Sequence, residues 1–99
     1  MINHIVLFKI KDYPIEKKTA VTDELKIMLE ELKGKIDVIR FLEVKLNHEI
    51  VSKNYELVLF SHFDSFEDLE KYRIHPEHQK VVKRVAEITD SRAAIDYIL

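Results

Sequence analysis

The sequence predicts an α+β domain built on one antiparallel sheet with its helices on a single face, and three observations predict it. Four segments rich in β-branched and aromatic residues alternate with two stretches of helical periodicity in the order β-α-β-β-α-β. Right-handed crossovers then carry both helices to the same side of the sheet. At 99 residues the chain can bury roughly two-thirds of its unfolded surface without staples. No linker, repeat or low-complexity tract divides it, so residues 1–99 are read as one domain.

Residues 2–11, rich in Ile, Val, Leu and Phe, read as the first strand. Pro14 suits the opening turn of a helix and Glu16 suits its positive end. Val21, Leu25, Met28, Leu29 and Leu32 then recur at helical spacing. Gly34, the only glycine, follows the last of them, where a left-handed C-cap is expected. Residues 38–46 read as strand two, 47–54 as a polar turn and 55–63 as strand three. Asp64 or Ser65 is expected to cap a helix starting at Phe66. Pro76 interrupts it, since the residue before a proline avoids the helical region, and a second segment runs to about Ile88. Residues 92–99 close the sheet. This order is the split βαβ arrangement of ferredoxin-like domains.

A sheet with one solvated face alternates apolar and polar residues. Strands one and three do not. His4, Val6, Phe8 and Ile10 share one face, yet Ile5 and Leu7 occupy the other. Tyr55, Leu57, Leu59 and Phe63 share one face, yet Val58 and Phe60 occupy the other. Two helices shelter one face only, so a second copy is expected to cover the surface bearing Ile5, Leu7, Val58 and Phe60. The expected assembly is a homodimeric α+β barrel.

Sixteen basic and eighteen acidic residues leave a net charge of −2. The charges are interleaved, which argues against a nucleic-acid or membrane-surface footprint. The longest apolar run, residues 5–8, is too short to span a bilayer. The amino-terminal residues show no secretion signal, and the cytoplasm is the expected location. Without cysteine there is no thiol nucleophile and no Cys-based zinc site. One glycine cannot make a glycine-rich phosphate loop, and no Gly-x-Ser-x-Gly elbow is present. His75 and His78 lie three apart, but Pro76 between them breaks ligand geometry and no third ligand is close. Neither a metal nor another cofactor is expected.

The chemistry-bearing stretch is Tyr72-Arg73-Ile74-His75-Pro76-Glu77-His78. Tyr72 rides the inward stripe of Phe66 and Leu69, and His78 rides that of Val81, Val82 and Val85. A bend at Pro76 lets the two converge. An imidazole accepts a proton near neutrality, and a phenol donates a hydrogen bond to a developing oxyanion. Asp96 has the parity of Ala94 and Ile98 and is a candidate to orient His78. With His4, the inward residues Val6, Phe8, Leu59 and Val82 are expected to line the substrate cavity. His75 is expected in a turn at its mouth, His62 on the partner-facing side and His48 in solvent. The competing reading makes the same residues a satisfied core His–Asp pair beside a space-filling tyrosine.

His4-Ile5-Val6-Leu7-Phe8-Lys9-Ile10-Lys11, Lys53-Asn54-Tyr55-Glu56-Leu57, Tyr72-x-x-His75-Pro76-x-His78 and Ile95-Asp96-Tyr97 together resemble the stress-responsive α/β-barrel (Dabb) domain family over essentially the whole chain. The resemblance implies a dimer of ferredoxin-like sheets packed face to face. A distantly similar plant member, olivetolic acid cyclase, closes a polyketide-type chain by aldol chemistry without a metal, and its tyrosine and histidine match Tyr72 and His78. Its strand-one histidine and last-strand aspartate match His4 and Asp96. A further pocket histidine of that enzyme falls on Leu57, and its aromatic helix-one wall falls on Glu24, Leu25 and Met28.

Two functions follow. One is acid/base catalysis, of cyclase, aldol or lyase type, on a small, partly apolar carbonyl compound. The other is a non-catalytic, stress-associated dimer that binds a small apolar ligand. Haem or monooxygenase chemistry is disfavoured, because the chain has no tryptophan and no histidine placed as an axial ligand.

Overall fold

The computed structural model describes residues 1–50 and 53–99. The strands are β1 (Ile2–Ile10), β2 (Phe41–Leu46), β3 (Leu57–Phe63) and β4 (Thr89–Ile98). The helices are α1 (Ile15–Glu31), which ends in a 3₁₀ turn at Leu32–Gly34, α2 (Phe66–Ile74) and α3 (Pro76–Ile88). One antiparallel sheet of order β2-β3-β1-β4 carries all three helices on one face. This is the ferredoxin-like topology.

Parity along the strands decides what is buried. Val6, Phe8 and Ile10 of β1 and Leu57, Leu59 and Phe63 of β3 turn toward the helices and form the core with Val21, Leu25 and Leu29 of α1. The other face holds Ile5, Leu7, Val58 and Phe60, all half-buried. Around them Phe41, Ile95 and Tyr97 are 41%, 60% and 42% exposed, so a broad apolar surface lies without cover from its own chain. His62 is on this side, its ring 4.7 Å from that of Phe41. His48 is exposed in the turn after β2.

Several boundaries depart from the sequence reading. Gly34 does not adopt a left-handed conformation. Instead Lys35 and Ile36 both donate to the Leu32 carbonyl at 3.0 Å, so the helix ends by tightening. β2 starts at Phe41 rather than at residue 38, because Ile36 and Ile39 turn inward and cap the core before the strand begins. β3 starts at Leu57, and β4 follows α3 directly at Thr89. Ser65, not Asp64, caps α2 by accepting the Asp68 N–H at 3.1 Å, while Asp64 pairs with Arg40. The middle of the expected polar turn, residues 51 and 52, lies outside the described residues.

Candidate functional site

The site starts from a broken helix. Pro76 has no N–H, so the Tyr72 carbonyl accepts the His75 N–H at 3.2 Å in its place. His75 is extended and caps α3, its Nδ1 accepting the Glu77 N–H at 3.1 Å. It is therefore a capping residue and not a wall of the cavity. With the Glu77 N–H engaged, the Arg73 carbonyl has lost its helical donor. His78 Nδ1 at 3.0 Å and Gln79 Nε2 at 2.5 Å donate to it instead. A carbonyl only accepts, so Nδ1 of His78 carries the proton and Nε2 keeps its lone pair.

The break brings the phenol and the imidazole together, with ring centroids 4.2 Å apart. Both border a cavity of about 560 Å³ between the sheet and α3. Its apolar walls come from Val6 and Phe8 of β1, Leu59 of β3 and Val81, Val82 and Val85 of α3; His4 adds a polar patch next to Tyr72. Tyr72 is only 1% exposed, wedged between His78, Phe63 and His4. No group among the described residues hydrogen-bonds its hydroxyl. Burial holds the phenol well above its ordinary pKa, with the Arg92 charge opposing weakly, so the ring stays neutral and able to donate. Burial likewise holds His78 below the ordinary imidazole value; the bond to the Arg73 carbonyl opposes this, and the charges of His4, Arg92 and Arg73 reinforce it. At neutral pH the pair is an uncharged acceptor beside an uncharged donor.

Asp96 does not reach His78. It bonds Nδ1 of His4, and it also accepts from Arg73 at 3.3 Å. The β1–β4 register places Asp96 directly opposite His4 on the same sheet face, where cross-strand side chains meet at roughly 5 Å. The parity expected for Asp96 therefore holds, while its partner is the strand histidine. The positions of the plant cyclase's helix-one wall also diverge from the cavity. Leu25 is core, Met28 packs against the core and Glu24 grips Arg84 at 2.7 Å, so α1 meets the cavity through Leu29. Leu57 is core as well.

Five wall residues were not singled out in the sequence: Arg73, Gln79, Ala86, Thr89 and Arg92. Arg92 had a usable signal, since it shares the parity of Ala94 and Asp96. Gln79 had none, because it joins the site only through the carbonyl freed at Pro76, and Arg73 joins through that carbonyl and through its guanidinium on Asp96. A second polar cluster lies away from the cavity. Glu56, 1% exposed, accepts from Lys9 at 2.6 Å, from Lys18 at 3.0 Å and from the Ile10 N–H at 2.8 Å. Among the described residues no group of three or more His, Asp or Glu side chains is placed to hold a metal ion, and no helix is long and apolar enough to cross a membrane.

A ferredoxin-like sheet with a helix-side cavity and a proline-bent Tyr–His pair defines the class. The chain belongs to the stress responsive A/B barrel domain family, which it matches over residues 2–99. It is 36% identical over 101 residues to a stress-response A/B barrel domain-containing protein of Arabidopsis thaliana, a match that covers 99% of this chain and 36% of that protein. The chain thus spans about a third of that relative's length. It is also similar to a dimeric protein of unknown function with a ferredoxin-like fold from Bacteroides fragilis, at 41% identity and a TM-score of 0.89, covering 99% of this chain and 95% of the other. A hydroxynitrile lyase from Passiflora edulis superposes with a TM-score of 0.81 over 99% of this chain and 92% of its own, but at 15% identity the likeness is one of fold.

Proposed function

We propose that this chain acts as a homodimer whose cavity binds a small, largely apolar carbonyl compound and catalyses acid/base chemistry of aldol, cyclase or lyase type on it. In the bond-forming direction His78 Nε2 takes a proton from the carbon next to the carbonyl and the Tyr72 hydroxyl donates to the oxyanion that develops. In the cleaving direction the same Nε2 takes the β-hydroxyl proton as the carbon–carbon bond breaks to an enolate held by Tyr72, and returns that proton to the carbon. The observation that carries this reading is the Tyr72–His78 pair itself: a donor with no protein partner among the described residues, 4.2 Å from an imidazole whose tautomer is fixed to leave Nε2 open, on an apolar cavity. His4 and Asp96 act as a positioning pair that holds the wall behind Tyr72. Val6, Phe8, Leu59 and Val82 would bury the apolar part of the substrate.

The dimer is supported by the uncovered apolar sheet face and by the similar Bacteroides fragilis protein, which is described as dimeric. The surface around Ile5, Leu7, Val58 and Phe60 is the proposed interface.

A second reading, a non-catalytic ligand-binding dimer, has one observation in its favour. The carboxylate that would strengthen His78 as a base is spent on His4. Turnover separates the two. The wild-type protein is assayed against a panel of β-hydroxy-carbonyl compounds for retro-aldol cleavage, with His78→Gln as the matched control. Cleavage lost in His78→Gln, with ligand affinity retained, supports catalysis; unchanged cleavage in that variant, or none in the wild type, leaves the binding reading.

A further inference from the structure

We infer that the ligand of this cavity is an anion, a carboxylate on an otherwise apolar compound, and that Arg92 is the residue that recognises it. The inference deepens the reading above and rests on the cavity being a ligand site.

Among the described residues no carboxylate side chain lines the cavity, while two arginines do. One of them is already neutralised: Arg73 lies 3.3 Å from Asp96 and 3.5 Å from Glu70. Arg40 and Arg84, away from the cavity, are matched by Asp64 and Glu24. Arg92 alone of the four arginines has no carboxylate within salt-bridge distance among the described residues. A guanidinium offers a planar fork of donors that fits a carboxylate through two parallel bonds.

The sheet register sets where the anion sits relative to the reacting groups. Arg92 lies opposite Phe8, Ala94 opposite Val6 and Asp96 opposite His4, all on the helix-facing side. Four residues along a strand span roughly 13 Å. Arg92 and the His4–Asp96 pair therefore stand at the two ends of a floor formed by Val6 and Ala94, and the small methyl of Ala94 leaves that floor open. A ligand with its carboxylate at Arg92 would run an apolar chain across the floor and deliver a group several carbons away to Tyr72 and His78.

Titration calorimetry on the intact protein with octanoate and octanamide, which share a chain and differ in charge, tests the assignment. Octanoate is expected to bind about tenfold or more tightly than octanamide at low ionic strength, and the gap is expected to shrink in high salt. Arg92→Gln should remove the preference while leaving octanamide affinity unchanged, and Arg92→Lys should restore part of it. Arg92 is exposed on an edge strand, so the substitution spares the core; should the variant still fail to fold, the salt dependence of the wild-type preference decides alone. Equal affinity for the two probes, or a preference that survives Arg92→Gln, overturns the inference and leaves the apolar cavity reading standing. Absence of binding by either probe overturns both.

Discussion

Replacing Tyr72 with Phe removes one oxygen from a side chain that is 1% exposed and leaves its ring contacts with His78, His4 and Phe63 in place. The hydroxyl has no protein partner among the described residues, so folding loses no hydrogen bond with it. The unfolding free energy should therefore move by no more than about 0.5 kcal/mol, whereas a hydroxyl serving as a structural donor would cost about 1 kcal/mol or more. Catalysis should respond on a different scale. Loss of a donor to a developing oxyanion costs roughly 10²–10³ in rate, or about 2.7–4 kcal/mol of transition-state stabilisation. The assay pairs urea unfolding, at one fixed protein concentration because the assembly is concentration-dependent, with single-turnover cleavage of a β-hydroxy-carbonyl substrate. The expected signature is an unchanged unfolding midpoint beside a rate cut by two or more orders of magnitude. A variant destabilised by about 1 kcal/mol or more with turnover intact would refute the reasoning, since the phenol would then be a structural group.

Three further outcomes follow from other parts of the molecule. Phe60→Glu puts a charge at the centre of the open sheet face, opposite Ile5 and next to Glu43 on β2; sedimentation equilibrium should show a folded monomer, and a persisting dimer would move the interface elsewhere. His78 is held below the ordinary imidazole pKa by burial, so the unfolded chain takes up its proton first as pH falls through about 6.5. Stability should thus decline from there downward until the folded imidazole also protonates, with His78→Gln flattening that segment of the curve and catalysis showing an acid limb centred below the usual imidazole range. Glu56→Gln leaves the ammonium groups of Lys9 and Lys18 facing an uncharged amide in a buried corner, and urea unfolding at pH 7 should show a loss of about 3 kcal/mol. Its three donors hold the Glu56 carboxyl below the usual range against the opposing effect of burial, so the difference from wild type should close as pH falls below that range.

The sequence carried information about faces more than about partners. Parity in residues 4–10 and 57–63 told which side chains share a face, and Pro76 told where two helical stripes could meet. Those signals are local, with periods of two and 3.6 residues, and they were enough to place the Tyr72–His78 pair. The partner of Asp96 needed the β1–β4 register, which parity cannot supply, because every same-parity residue of a neighbouring strand is equally eligible until one pairing is fixed. The Glu56 cluster was illegible for a related reason: Lys9, Lys18 and Glu56 come from three distant segments, and charged residues of this kind usually point to solvent. Gly34 misled by composition. A lone glycine after a helix suggests a left-handed cap, but the Leu32 carbonyl found two ordinary donors and no such conformation was required.

The two cavity histidines are held by different kinds of acceptor, and this bears on the chemistry proposed. His4 sits against a carboxylate, which fixes the ring within the β1–β4 pairing. His78 sits against a backbone carbonyl, which orients the ring but provides far less compensation for charge, and burial depresses its proton affinity further. A base of that strength suits a C–H already acidified by an adjacent carbonyl, provided that the enolate oxygen receives a hydrogen bond as it forms. Activation of a serine-type nucleophile is served instead by a carboxylate-backed imidazole. Tyr72 supplies the hydrogen bond, and its raised pKa keeps the hydroxyl a donor throughout the working range. The proposed reaction thus follows from which histidine the aspartate chose, and that choice is a consequence of strand register.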